Sequence, residues 1–130
     1  MLETFTRYKD IDISFIQHPT SLDIVPLYDF DAIRRAVKLL VLTSYYERPF
    51  HPEIGSSVRH HLFENFGPLA KINIIRSIEE VLKNFEPRVK VLNVSVKELI
   101  DNNSLEISIT FGAANIKDSF VVSFNLERVR

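Results

Sequence analysis

A chain of 130 residues with 45% hydrophobic content is sized for one compact domain, residues 1–130, with a core of its own. Sixteen basic against seventeen acidic residues leave a formal net charge of −1, which excludes the broad positive field that unspecific nucleic-acid binding needs. The absence of cysteine excludes disulfides, thiolate metal sites and cysteine nucleophiles, so packing must hold the fold.

The opening "MLETFTRYKD" is polar where a secretory signal needs an apolar stretch, and no apolar run approaches the roughly 18 residues of a membrane helix. The expectation is a soluble chain made and kept in the cytosol. Ile11, Ile13 and Phe15 alternate with Asp12 and Ser14, and "QHPTSLDIVPLYD" follows with prolines at 19 and 26. Residues 1–28 are predicted as a strand and then an extended arm.

From Asp29 the period becomes helical. Ile33, Val37, Leu40 and Val41 share a stripe, predicting a helix from about Phe30 to Thr43 with Asp29 or Asp31 capping its first N–H groups. "SYYERPFHPEIGSS" contains two prolines and a glycine and excludes a continuous element. A short helix is predicted over Ser57 to Glu64, with Val58, Leu62 and Phe63 inward. Gly67-Pro68 restarts a helix, since proline's missing N–H has no intrahelical partner in the first turn. Ile72, Ile75, Ile78, Leu82 and Phe85 are expected to face the core, with Ile74 and Val81 at the margin.

After Pro87 the period is two. Val89 and Val91 fall on one face and Leu92, Val94 and Val96 on the other, which implies a bulge or a strand covered on both sides. Asp101 to Ser104 predicts a turn. Leu105, Ile107, Ile109 and Phe111, then Phe120, Val122, Phe124 and Leu126, mark two alternating strands. The fold class expected is α+β, two-layer, an antiparallel sheet covered on one face by two to three helices, with the extended N-terminal arm.

Chemistry-bearing residues are sparse. His60 and His61 are adjacent, so their side chains diverge on a helix, and His60 with Glu64 supplies only two ligands. Glu47, Glu53, Glu64 and Glu86 are candidates for the paired carboxylates of a glycosidase, but none lies in a catalytic motif. Ser56-Ser57 lack the glycine-flanked elbow of a hydrolase, and three glycines cannot build a phosphate loop. Tyr45, Tyr46, Phe50, Phe63 and Phe66 crowd the irregular middle and divide between core plugs and partner contacts.

Glu86-Pro87-Arg88 is the sharpest local signal. Proline disfavours helical geometry in the residue before it, so the long helix should end near Phe85 with Glu86 extended. Glu86 and Arg88, at i and i+2, are then expected to project together from a stiff hinge. They can pair with each other, with Arg34 or Arg35, or with a partner.

The segment "RPFHPEIGSSVRHHLFE", followed about twenty residues later by "EPRV", carries a family resemblance. With the N-terminal "DIDISF" and the two closing strands, it resembles the small, lysozyme-like baseplate wedge proteins of contractile-tailed bacteriophages, relatives of a type VI secretion baseplate component. The matching positions are Arg48-Pro49-Phe50, Pro52, Gly55, Leu62-Phe63-Glu64 and Glu86-Pro87-Arg88, while "HPTSLDIVPL" lacks a glycine expected near its turn.

The resemblance implies a structural role in the baseplate wedge. Glu86, Pro87 and Arg88 would bind the core bundle of larger wedge proteins, and Arg48 and Phe50 are further candidate protein contacts. The last strand, through Phe120, Val122 and Phe124, would template the tail sheath protein, since a strand edge offers unpaired N–H and C=O groups. It implies no cofactor, no metal, no nucleic acid, no membrane and no small-molecule substrate. Assembly would occur in the host cytoplasm and end in the virion tail baseplate, or in the cytoplasmic baseplate of a contractile injection apparatus. The alternative is a peptidoglycan-degrading hydrolase.

Overall fold

The computed structural model describes residues 8–113 and 116–128. In chain order it contains β1 (Lys9–Ile11), β2 (Pro26–Tyr28), α1 (Asp29–Leu42), α2 (Val58–His61), α3 (Pro68–Phe85), β3 (Val89–Leu99), β4 (Ser104–Ala113) and β5 (Ile116–Glu127). The class is α+β: β3, β4 and β5 form an antiparallel sheet in that order, and β1 pairs antiparallel with β2.

The sheet follows from strict alternation. Leu105, Ile107, Ile109 and Phe111 of β4 are fully buried and meet Val122 and Phe124 of β5, while Ser108, Thr110 and Ser123 face outward. In β3 the register slips between Val91 and Asn93, leaving Leu92 as the extra residue, half exposed. The bulge returns Val94 and Val96 to the core face on which Val91 already packs, so the broken alternation is resolved by one inserted residue.

Helix α1 buries Ile33, Val37, Leu40 and Val41, the stripe expected from sequence. Its start differs. Tyr28 occupies the cap position without a side-chain bond, and Asp29 has left-handed backbone (φ 45°). The Asp29 carboxylate instead accepts from the Tyr8 N–H at 3.0 Å, fastening the start of β1 to the start of α1.

Helix α3 begins at Pro68 as its proline predicts, but its inward stripe is rotated. Ala70, Ile74, Ile78, Val81 and Leu82 are buried, whereas Ile72 is half exposed. The reason is company: α3 packs between β3 on one side and α1 and α2 on the other, so the face that Ile74 and Val81 occupy is covered. Helix α2 is a single turn, shorter than expected. Val58 and Leu62 point in and Phe63 points out, 72% exposed.

The N-terminal arm doubles back rather than running extended. A bridge between Gln17 and Ile24 and the bond from the His18 N–H to the Asp23 carbonyl continue the β1–β2 ribbon to a turn at Leu22, which has left-handed backbone. Arg35 of α1 clasps the ribbon through Asp12 at 2.9 Å.

Candidate functional site

The helix stop at Pro87 is tighter than a hinge. The Glu86 N–H completes α3 by donating to Leu82, and the Val89 N–H donates to the Glu86 carbonyl at 3.1 Å. Residues 86–89 thus close a β-turn with proline at its second position, where its fixed φ is already suitable. It is this turn, not an extended run, that folds Arg88 back onto Glu86.

The contact is bidentate. Arg88 Nε donates to Glu86 Oε1 at 2.6 Å and its terminal nitrogen to Oε2 at 2.8 Å. Glu86 is only 5% exposed, so its charge is taken out of water and satisfied by one guanidinium fork. Asp10 stands 3.7 Å from the same guanidinium, whose centre lies 5.1 Å from the Tyr8 ring centroid. The hydrogen bonds to Glu86 raise the Arg88 pKa above its already high ordinary value. Of the other internal cations, Arg35 pairs with Asp12 instead.

Arg48 arrives from a different segment. Residues 44–56 form a closed loop whose ends meet in a parallel bridge between Ser44 and Ser56. Gly55 makes that closure possible: a Cβ there would sit 2.7 Å from the Ser44 carbonyl carbon and oxygen. Ser56 donates through its hydroxyl to the Val41 carbonyl at 2.6 Å, and the Ser57 N–H donates to the Ser77 hydroxyl at 3.0 Å. Sequence reading missed Ser77, whose only signal is a small polar residue beside the apolar stripe of α3.

The aromatics of this loop are outside. Tyr46 is 84% and Phe50 97% exposed, and both have left-handed backbone at φ 65° and 66°. Such geometry is costly for bulky residues and persists only where the surroundings impose it. Of the five middle aromatics, Phe66 alone packs against the core cluster.

A groove of about 700 Å³ joins the two segments. Arg48 and Glu86 line it together with Lys9 and Asp10, over an apolar floor that includes Leu39 and Phe85. The remaining sequence candidates lie elsewhere. Val122 and Phe124 are buried, and Phe120 stacks on Phe30 with ring centroids 4.0 Å apart. Their side chains serve the core, so what β5 presents outward is its backbone edge.

His60 and His61 do converge, contrary to the divergence expected on a longer helix. Both reach Glu64, His61 at 2.9 Å and His60 at 3.7 Å. No group of three metal-ligating side chains forms a metal-holding cluster among the described residues. The His61 hydrogen bond lowers the Glu64 pKa, and the Glu53 backbone, followed by His51, lowers that of Glu53. Glu47 accepts from the Ser44 N–H at 2.8 Å. Among the described residues, no helix is long and apolar enough to cross a membrane.

Residues 29–115 match the family described as Baseplate wedge protein gp25. The chain belongs to the gp25 baseplate wedge family. Its similarity to the protein of that name from Enterobacteria phage T4 is 31% identity over 111 residues, 85% of this chain and 83% of the relative. The fold recurs in a chain of the anti-feeding prophage baseplate, with TM-score 0.75 at 24% identity over 87% of this chain and 90% of that one. It recurs in a putative tail lysozyme of Geobacter sulfurreducens, with TM-score 0.69 at 20% identity over 76% and 90%. A chain of the pyocin R2 baseplate gives TM-score 0.56 at 17% identity over 88% and 98%. The family match includes Arg48 and Glu86 but not the groove residues Lys9, Asp10, Ile11 and Pro26, and it ends before β5.

Proposed function

We propose that this gp25-family chain is a non-enzymatic building block of a contractile-tail baseplate, residing there after assembly in the host cytoplasm. The observation that supports this most is the groove in which the Arg48 loop and the Glu86-Pro87-Arg88 turn meet. Its apolar floor suits an elongated helical surface, and the Arg48 guanidinium, which has no ion pair among the described residues, suits a carboxylate on that surface. The larger wedge proteins would dock here, with Phe50 as an exposed anchor and Glu86–Arg88 as the strut that sets the floor. The edge of β5 would receive a strand of the sheath protein.

The test is reconstitution with the larger wedge proteins of the same particle. Arg48→Glu with Phe50→Ser changes only exposed side chains, so the chain should fold and lose co-migration with the wedge on size exclusion. Unchanged co-migration would refute the groove. A hydrolase would need a carboxylic acid held protonated near neutral pH. Glu53 and Glu64 move the other way, and Glu86 is engaged by Arg88. Likeness to a tail lysozyme at 20% identity carries the fold alone. Purified cell walls should not clear in its presence.

A further inference from the structure

The two outer strands of the β3–β4–β5 sheet are unlike. β3 carries the Leu92 bulge and the lysines 90 and 97, devices that discourage a neighbour from pairing. β5 runs twelve residues with its charges confined to Lys117, Asp118 and Glu127 at the ends, leaving an uncharged middle. Addition should therefore occur on β5.

Beside that edge lies a second cleft, of about 280 Å³, between α1 and β5. Val122 and Ser123 form one wall, and Asp31, Arg34, Arg35 and Lys38 of α1 the other, with Leu27 at the end. Arg35 is committed to Asp12, and Asp31 brings one opposing charge. Arg34 and Lys38 have no ion pair among the described residues, so the cleft keeps a positive excess facing the β5 edge, on which no further strand pairs among the described residues. They lie one helical turn apart, about 6 Å along the axis. Alternate residues of a strand are separated by about 6.7 Å. Phe120, Val122 and Phe124 point to the helix side, so every second residue of an added strand would point there as well.

We infer that β5 selects an acidic extended segment of a partner protein, with two carboxylates at i and i+2 meeting Arg34 and Lys38. The inference rests on the strand-edge reading above and adds the chemistry of the strand. Backbone pairing supplies the register, and the carboxylates supply discrimination.

A ten-residue peptide alternating threonine and valine, with a central Glu-x-Glu on one face, can be titrated into the ¹⁵N-labelled chain and followed by amide shifts. Shifts should appear along β5 and α1 and weaken as salt is raised. Turning two solvent-facing attractions into repulsions predicts that Arg34→Glu with Lys38→Glu weakens this peptide about tenfold and strengthens its Lys-x-Lys counterpart. The peptide N-methylated along its pairing edge should lose binding, because it cannot donate to the ladder. Glu and Lys peptides binding alike would overturn the charge selection while leaving strand addition intact. An N-methylated peptide binding as well as its parent would overturn both, as would absence of any shift on β5.

Discussion

Removing Arg88 should unfold this chain more readily than its modest exposure suggests. Glu86 has 6% of its side chain exposed and Arg88 22%, and two charge-assisted bonds at 2.6 and 2.8 Å join them. Breaking a fully buried pair by deleting one partner costs ~3–5 kcal/mol, because the remaining charge has lost its water and its partner. The partial exposure of Arg88 lets water reach the vacated position, so the expected loss for Arg88→Ala is about 2–3 kcal/mol. At about 4 °C per kcal/mol for a chain of this length, the melting temperature should fall by roughly 10 °C. Urea unfolding followed by circular dichroism should show a lower midpoint with an unchanged slope. Arg88→Lys keeps the charge without the fork and should fall between. Adding Glu86→Gln to Arg88→Ala removes the orphaned charge and should restore part of the loss. A loss below about 0.5 kcal/mol for Arg88→Ala would refute the strut and return the pair to the class of surface contacts. The same reasoning makes Arg48 and Phe50, not Arg88, the clean probes of partner binding.

Gly55→Ala should cost about 2 kcal/mol or more, since its Cβ must displace the Ser44 backbone, and chymotryptic cleavage at Tyr46 and Phe50 should accelerate. A melting point unchanged by that substitution would mean the loop closure is loose. Ile74→Ala should cost ~2–5 kcal/mol and Ile72→Ala under ~1 kcal/mol, and equal losses would contradict the rotated stripe of α3. Asp12, held low chiefly by the Ser14 hydroxyl, and Glu53 and Glu64 all have pKa values below their ordinary 3.8 and 4.5. Each therefore stabilises the fold above that ordinary value and loses the contribution as pH falls through its lowered folded value. Chemical denaturation should give a midpoint that declines below about pH 4.5, less steeply in the triple amide variant; an equal decline in that variant would sink the assignment.

The elements were legible wherever one period ran uninterrupted. The α1 stripe and the alternations of β4 and β5 needed no context, because each must hide one apolar face. The phase shift around Leu92 was legible too, but it left a bulge and a strand covered on both sides as equal readings until the register decided for the bulge. The rotation of α3 was not, since Ile72 and Ile74 are equally apolar and only their neighbours distinguish them. The divergence expected of His60 and His61 overlooked Glu64, which at i+4 from one and i+3 from the other stands within reach of both. Val122 and Phe124, named as contacts, share their alternation with the core strand beside them and proved to be core.

By itself the sequence determined that Pro87 ends a helix, because proline restricts its predecessor and removes a donor whatever surrounds it, while it left the Glu86 and Arg88 pair open to each other, to Arg34 or Arg35, or to a partner. Tertiary structure decided where that pair faces. Only the return of residues 44–56 onto the end of α1, through a glycine too close to Ser44 for any side chain, brings Arg48 to the groove that Glu86 lines. Local rules act through bonded neighbours and are written in order along the chain. The distance between Arg48 and Glu86 depends on how thirty-odd intervening residues pack, and no local rule contains it.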